Sequence, residues 1–354
     1  MRALAIMLCA RSLPVHRGVP HPLVPLLQAN GHRVTQVADG VLELTAPDLV
    51  WIVGNANRYP AVCRQLMTGP ARRPLVVLWH SEPLPPPRAA GLPTPRLHLR
   101  EIAKIVLRDS RATDVYSNWF RIRKLARHGL PDILVVSTGG RQEFLAEHGI
   151  NAHLVPLGYC PAYGRDLGLQ RDIDTLFLGS PDVPRRRRLL NRLRRRGVDV
   201  VERGGWFDPA NWGEERVRLL NRTKILLNFG RYPGELSGMR LILGLANKAL
   251  VISEPIYRPA PYVPGTHYVS ATIEEMPEVI RYYLAHEDQR RRIVAEGHRL
   301  VMQEITLERS AARILALVAE YLDGTPTHAP GVVDATALAC PAAAQGQRSL
   351  GSQA

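Results

Sequence analysis

The residues from Asn221 to Pro255 constrain the fold of this chain more than any other stretch of its sequence. Lys224–Phe229 is a short run of mostly apolar residues, which predicts a buried β-strand. Gly230–Gly234 cannot continue that strand, because Pro233 has no backbone N–H and Gly234 permits unusual backbone angles. A loop is therefore predicted directly after the strand.

A largely apolar segment follows this loop. Glu235 opens it, and Leu236–Asn247 predicts a helix that packs into protein on most sides, with a second strand at Ala249–Ser253. A glycine-containing loop between a strand and a helix leaves free N–H groups at the positive end of the helix dipole, so an anion is favoured there. A diphosphate is the obvious candidate. The alternative is an ordinary β-α-β turn with nothing bound, and the local pattern does not decide between them.

Strands alternate with helices along most of the chain, which predicts the α/β class. The further predicted strands are Ala3–Leu8, Arg33–Val37, Asp48–Val53, Leu75–Trp79, Ile133–Ser137, Thr175–Leu178 and Val198–Val201. This pattern predicts two doubly wound, Rossmann-like domains of parallel sheet that face each other across a cleft. We expect an amino-terminal domain over residues 1–155, a second domain over 156–305, a helix over 306–324 that crosses back, and a disordered tail over 325–354.

Net charge and cysteine content indicate which partners and which cellular compartment to expect. The formal net charge of +14 implies contact with something anionic, such as a membrane surface, a phosphorylated substrate or nucleic acid. The four cysteines show no paired spacing, which predicts reduced thiols in a cytoplasmic protein. The apolar start of the chain predicts a first buried strand better than a signal peptide, and no apolar run is long enough to cross a bilayer.

Two parts of the sequence carry a resemblance to a known family. Residues Glu235 to Gly238 and Ala246 to Ile252 resemble the donor-binding segment of family 4-type retaining glycosyltransferases of the GT-B fold, whose pattern is Glu-x-x-Gly, a second glutamate and a small-residue run before a strand. Over roughly Asp132–Ile314 the order of motifs is similar to the carboxyl-terminal domain of CgeB-like bacterial glycosyltransferases. Leu78–Pro83 resembles a Trp-x-x-acid-Pro element of that group's amino-terminal domain.

The resemblance implies a glycosyltransferase that uses a nucleotide-diphospho-sugar and retains the anomeric configuration. It places Glu235 against the donor sugar, where the family's glutamate contacts the hydroxyls or supports departure of the sugar. In the family a second glutamate holds the donor ribose, and Leu243 stands at that position here. The alternative for Glu235 is an acid of the first helical turn that complements the helix dipole.

Ligands of parallel sheets lie beyond the carboxyl ends of the strands, and this rule selects the remaining candidates. The candidate catalytic residues are Glu235, His80 and Glu82, and the candidate donor-binding residues are Gly179, Ser180, Arg185, Arg186, Gly234, Leu236, Ser237 and Gly238. Asn55 and Thr138–Gly140 also follow strands of the first domain. His80 could instead have a structural role at the end of its strand. His16 is a weaker candidate for a catalytic residue. No DxD-like pair or histidine cluster that would hold a metal ion is evident, so we predict a site without metal, with the nucleotide-sugar as co-substrate and no other cofactor.

Eight arginines lie between Arg185 and Arg196. Basic residues near an anionic bilayer each contribute about 1 kcal/mol, so a lipid-linked acceptor, or one at the inner membrane face, is a hypothesis. The proline-dense segment Pro83–Pro95 is interpreted as a surface connector or as a lid over a cleft. Three alternatives to the transferase stay open: a catalytically silent binding protein on the same scaffold, a sugar-nucleotide epimerase and, ranked last, a nucleic-acid-binding protein.

Overall fold

The structure is a computed structural model of the chain that describes residues 2–10, 20–38, 40, 47–69, 73–95, 99–107, 115–180, 183–204 and 211–324. His16 and the predicted tail over 325–354 lie outside the described residues.

Within these ranges, the amino-terminal part forms a parallel sheet of six strands. They are β1 (Ala5–Cys9), β2 (Arg33–Val37), β3 (Leu49–Val53), β4 (Leu75–His80), β5 (Ile133–Val136) and β6 (His153–Leu154), in the spatial order β2-β1-β3-β4-β5-β6. The helices of this part are α1 (Leu23–Ala29), α2 (Pro60–Thr68), α3 (Leu99–Val106), α4 (Val115–Ala126) and α5 (Gly139–Ala146).

The central strands of this sheet are apolar because helices cover both faces. β4 is buried at every position, as expected for a parallel strand with no solvent-facing side. One apolar cluster joins alternate side chains of β1, β3, β4 and β5 to α1, and a second joins the opposite side chains to α2, α4 and α5. The amino-terminal domain is therefore doubly wound.

The second part repeats this architecture. Its described strands are β7 (Ile173–Leu178), β8 (Val201–Arg203), β9 (Thr223–Asn228), β10 (Leu250–Ser253) and β11 (Val269–Ser270), all parallel, in the order β11-β10-β9-β7-β8. Its helices are α6 (Pro184–Arg195), α7 (Gly213–Asn221), α8 (Gly238–Ala246), α9 (Met276–Ala285) and α10 (Glu287–Arg299). A short π-helical turn, Leu300–Glu304, continues α10.

The last helix, α11 (Leu307–Leu322), returns to the first domain and packs into the apolar cluster beside α1. The chain crosses between the domains twice, and the two crossings bond to each other: the Tyr159 N–H donates to Ile305 O and the Leu307 N–H to Tyr159 O, both at 2.7 Å. Gly158 permits this contact, because a Cβ there would lie 2.4 Å from the Leu307 backbone.

Two predicted boundaries were wrong in an informative way. The strand predicted at Val198–Val201 lies at β8, because the first of those residues still belong to the turn after α6. Glu235 does not open a helix, since α8 begins three residues later at Gly238. Gly234 has a φ of +77°, and its carbonyl accepts a hydrogen bond from the Tyr257 N–H at 3.0 Å. The backbone at Gly234 therefore forms a parallel bridge with Ile256 instead of the first turn of a helix.

Among the described residues, no helix is both long and apolar enough to span a bilayer.

Candidate functional site

The strand order of the second sheet defines a crevice at its carboxyl edge. β8 lies on one side of β7 and β9 on the other, so the connections from β7 and β9 diverge at this point. Ligands of doubly wound sheets occupy such a position. Gly179 and Ser180 follow β7, and the predicted phosphate loop follows β9. The structure therefore brings these two groups of donor-binding candidates together.

The loop between β9 and α8 is closed on itself by Glu235. Its carboxylate Oε2 accepts a short hydrogen bond from the Arg231 N–H, and the side chain is only 9% exposed. A Cβ at Gly230 would lie 2.9 Å from the Glu235 Cβ, so glycine permits the tight turn. Because Glu235 lies before α8, its alternative as an acid of the first helical turn does not hold.

Two buried arginines lie below this loop, and the sequence prediction included only one of them. Arg240 of α8 donates to Leu178 O at 2.9 Å, to Asn228 Oδ1 at 2.6 Å and to Phe229 O at 3.1 Å. Arg186 of α6 donates to Phe229 O at 3.0 Å. The two guanidinium carbons lie 5.3 and 6.0 Å from the centre of the Phe177 ring, within cation–π range.

Burial lowers the pKa of Arg186 to about 10 and that of Arg240 to about 9, so both guanidiniums stay charged at neutral pH. Gly179 lies against Arg240, since a Cβ there would be 3.1 Å from Nη2. A lone arginine in the apolar segment that forms α8 was the sequence signal for this residue.

Arg185 is engaged by a neighbouring carboxylate. Its guanidinium binds Glu254, which follows β10, with Nη1 2.9 Å from Oε2 and a second, short contact, and it also donates to Gly230 O at 3.2 Å. It orders the crevice and is a weaker candidate for a diphosphate contact than Arg186.

Two buried positive charges in this crevice have no carboxylate partner among the described residues. The guanidiniums of Arg186 and Arg240 bond to backbone carbonyls and to Asn228 Oδ1, and neither forms an ion pair there with a carboxylate. Because unpaired charge is costly to bury, these two guanidiniums favour an anionic ligand.

The start of α8 offers backbone donors beside these cations. Ser237 precedes the helix without a side-chain cap, and Ser237, Gly238 and Met239 are partly exposed. The first N–H groups of a helix have no partner within the helix, so this end can bind an anion. Leu236 packs into the apolar cluster around α8 and can contribute only its backbone.

The candidate residues of the first domain differ in their burial and in their hydrogen bonds. His80 ends β4 and is 1% exposed, and burial lowers its pKa to about 3, so it is neutral at physiological pH. Glu82 is partly exposed. Asn55 accepts a hydrogen bond from the Asn57 N–H at 2.8 Å and Thr138 caps α5, so both have structural contacts.

The proline-rich segment covers the loop of the second domain. A Cβ at Gly234 would lie 2.4 Å from Leu92 Cδ1, and the Tyr232 hydroxyl donates to Leu84 O at 2.6 Å. The cavity between the domains, lined by Pro86, Thr138, Arg141, Glu235 and Tyr257 among others, has a volume of about 20 Å³. That volume holds about one water, so a larger ligand beside Glu235 needs this segment to move.

Leu243, which the resemblance places where family 4-type glycosyltransferases have a second glutamate, is 6% exposed and packs in the apolar cluster of α8. A glutamate there would bury a carboxylate, so the substitution Leu243→Glu would destabilise the protein and would not isolate a ribose contact. Within the described ranges, no group of three or more His, Cys, Asp or Glu side chains could hold a metal ion.

Comparisons with known proteins agree with this fold. Residues 185–316 match the model of a family described as glycosyl transferase-like. No curated protein matches the sequence. Together with the two parallel sheets, the structural similarities below show that the chain has the GT-B fold of glycosyltransferases.

Three solved structures illustrate the similarity. Sucrose-phosphate synthase from Thermosynechococcus elongatus has a TM-score of 0.58 at 12% identity, and the match covers 91% of this chain and 100% of the synthase. Anabaena HepE in complex with UDP-glucose has a TM-score of 0.52 at 10% identity, and the match covers 90% of this chain and 100% of HepE. S. aureus TarM, in a complex with fondaparinux, alpha-GlcNAc-glycerol and UDP, has a TM-score of 0.53 at 11% identity; the match covers 76% of this chain and only 54% of TarM.

Proposed function

We propose that this protein is a glycosyltransferase that moves a sugar from a nucleotide-diphospho-sugar to an acceptor hydroxyl. The observation that carries the proposal is the excess of buried positive charge around Arg186 and Arg240, at the crevice where the connections of β7 and β9 diverge. A diphosphate would neutralise that charge. Two of the similar structures are complexes with UDP and with UDP-glucose, which makes UDP the first probe to use.

The chemistry follows from where negative charge develops. As the sugar departs, charge builds on the diphosphate, and fixed cations and helix N–H groups stabilise it without reorganisation. Arg186 and the start of α8 supply these groups, and they do so without a metal. We place Glu235 against the donor sugar, where its carboxylate supports departure, and we assign retention of configuration on the resemblance alone.

The acceptor approaches from the first domain. His80 is enclosed in β4 and neutral, so an acceptor hydroxyl reaches it only if the strand ends move. Glu82 is partly exposed and is therefore our candidate for the group that orients the acceptor. A cytoplasmic location with the acceptor at a membrane face stays part of this proposal.

A catalytically silent sugar-nucleotide-binding protein is the second candidate. It is favoured by Leu243, which packs in the core where the family has a carboxylate. Incubation of a panel of nucleotide-sugars with the protein distinguishes the two candidates. Release of nucleoside diphosphate above the uncatalysed rate supports the transferase, whereas binding without any release supports the silent protein.

Titration calorimetry with UDP tests the crevice itself. The substitution Arg186→Gln keeps a side-chain donor for Phe229 O but removes the charge, and we expect the Kd for UDP to rise roughly tenfold or more. Arg188→Gln is the matched control, because Arg188 is exposed on the same helix. Equal affinities for both variants, or no binding of any nucleoside diphosphate to the wild type, would contradict the proposal.

A further inference from the structure

Helix α3 turns an apolar face outward. The side chains of Leu99, Val106 and Leu107 are 85%, 71% and 78% exposed, and that of Ile102 is 39% exposed. Leu99, Ile102 and Val106 lie on one helical face by their spacing. Leu107 extends the last turn, since its N–H donates to Ala103 O at 2.8 Å.

This face differs from the ordinary apolar surface of a protein. Single exposed apolar residues need no explanation, but a contiguous patch marks an interaction site. Apart from the neighbours Tyr321 and Leu322, the other large apolar side chains that are exposed in the described residues, such as Leu169 and Val263, lie far apart in the chain. Four of the set lie within nine residues at α3.

Helix α4 carries a basic surface. Phe120, Arg123, Lys124 and Arg127 are exposed at spacings that place them on one side of α4 and its last turn. The α4 sequence contains no acidic residue. The start of α4 lies beside the end of the proline-rich segment, four residues before α3, because the Tyr116 hydroxyl donates to Pro95 O at 2.7 Å; the Tyr116 and Phe120 rings lie 6.3 Å apart.

These cations are available for an external partner. Within the described part of the chain, no acidic side chain forms an ion pair with Arg123, Lys124 or Arg127. An anionic surface in contact with this side of the protein would therefore meet three cations that no carboxylate of the described residues pairs with.

The arginine helix α6, which the sequence suggested as the membrane-facing surface, is a poorer candidate. Several of its guanidiniums are paired inside the domain: Arg185 with Glu254, Arg194 with Glu202, and Arg192 with Glu274 at 2.7 Å. Among the described residues of α6, no large apolar side chain is exposed.

We propose that α3 and the basic side of α4 dock the protein on an anionic lipid surface. The exposed side chains of α3 enter the boundary between headgroups and acyl chains, while the α4 cations bind the headgroups. A second copy of this chain fits less well, because a symmetric contact would bring Arg123, Lys124 and Arg127 near their own copies. The inference does not depend on sugar transfer, since vesicle binding is measured without substrate.

Vesicle flotation with the full-length protein tests the apolar part. We expect the wild type to bind vesicles with about a quarter phosphatidylglycerol and to bind pure phosphatidylcholine far less. The double substitution Val106→Ser, Leu107→Ser should lower binding roughly tenfold or more. The control, Leu169→Ser with Val263→Ser, removes two other exposed apolar side chains in the second domain and should bind like the wild type.

A second pair of variants tests the charge. Arg123→Gln with Lys124→Gln should weaken binding to the anionic vesicles several-fold, whereas Arg188→Gln with Arg195→Gln on α6, with the same change in net charge, should not. Unchanged melting temperatures check that the variants fold. The proposal fails if the wild type does not bind, if the α6 pair has the larger effect, or if light scattering shows a dimer that the α3 substitutions dissociate.

Discussion

Glu235 closes its own loop, and we propose that it also contacts the donor sugar; two substitutions separate these roles. Glu235→Gln keeps an acceptor for the Arg231 N–H, so we expect the free energy of unfolding to change by less than about 1 kcal/mol. Loss of the carboxylate should lower kcat for nucleotide-sugar turnover roughly a hundredfold. Glu235→Ala should lower both, because the loop also loses its internal hydrogen bond.

Steady-state kinetics and urea unfolding of the two Glu235 variants provide the measurement. If Glu235→Gln turns over donor at the wild-type rate while Glu235→Ala is impaired, the residue only shapes the loop, and its assignment to the donor sugar is wrong.

The proline-rich segment determines whether the crevice is open. Leu92 lies on Gly234, and the segment is also bonded to Tyr232 through Leu84 O. Because a nucleotide must displace this contact, Leu92→Ala should raise the affinity for UDP roughly threefold to tenfold, the size expected for a partly buried apolar contact. Calorimetry compares it with Leu169→Ala, whose side chain is exposed elsewhere. An affinity at or below that of the wild type would mean that the segment does not compete with the ligand.

The pH dependence of stability is a property of the whole chain to which His80 contributes strongly. An unfolded histidine binds a proton near pH 6.5, but burial lowers the pKa of His80 to about 3. Its contribution is therefore fully present above pH 6.5 and is lost as the pH falls toward 3. At pH 4.5 the loss from this one group is roughly 2–3 kcal/mol.

Urea unfolding at pH 7 and pH 4.5 measures this effect. The wild type should lose more stability between the two values than His80→Gln, which has no titrating ring. Other histidines with a lowered pKa, such as His21 at about 4, act in the same direction in both proteins. Equal losses in the two proteins would show that His80 is not buried as a neutral group.

The sequence predicts the sheets well because parallel strands covered on both faces are short apolar runs between turn residues. β4 and β9 are of this kind. It also places the crevice, since the loop after β9 and the turn after β7 carry the glycines. The sequence did not predict Arg240 as a site residue, because helical periodicity shows that α8 is buried but not which carbonyls its one arginine reaches.

The sequence also could not predict which arginines form ion pairs. Arg185 and Arg186 are neighbours with the same chemistry, yet one is neutralised by Glu254 and the other is not, and Glu254 follows them by 68 or more residues. The exposed face of α3 has the same cause: an apolar stripe predicts a packed helix, and only the tertiary structure shows that this one is turned outward.

A crystal structure of the protein with UDP tests the central claim most directly. We expect the diphosphate to lie between the turn at Gly179 and the first amides of α8, in contact with Arg186, with Leu92 displaced from Gly234. A nucleotide bound away from this crevice, or a crevice that stays closed by Leu92 at saturating UDP, would contradict the account.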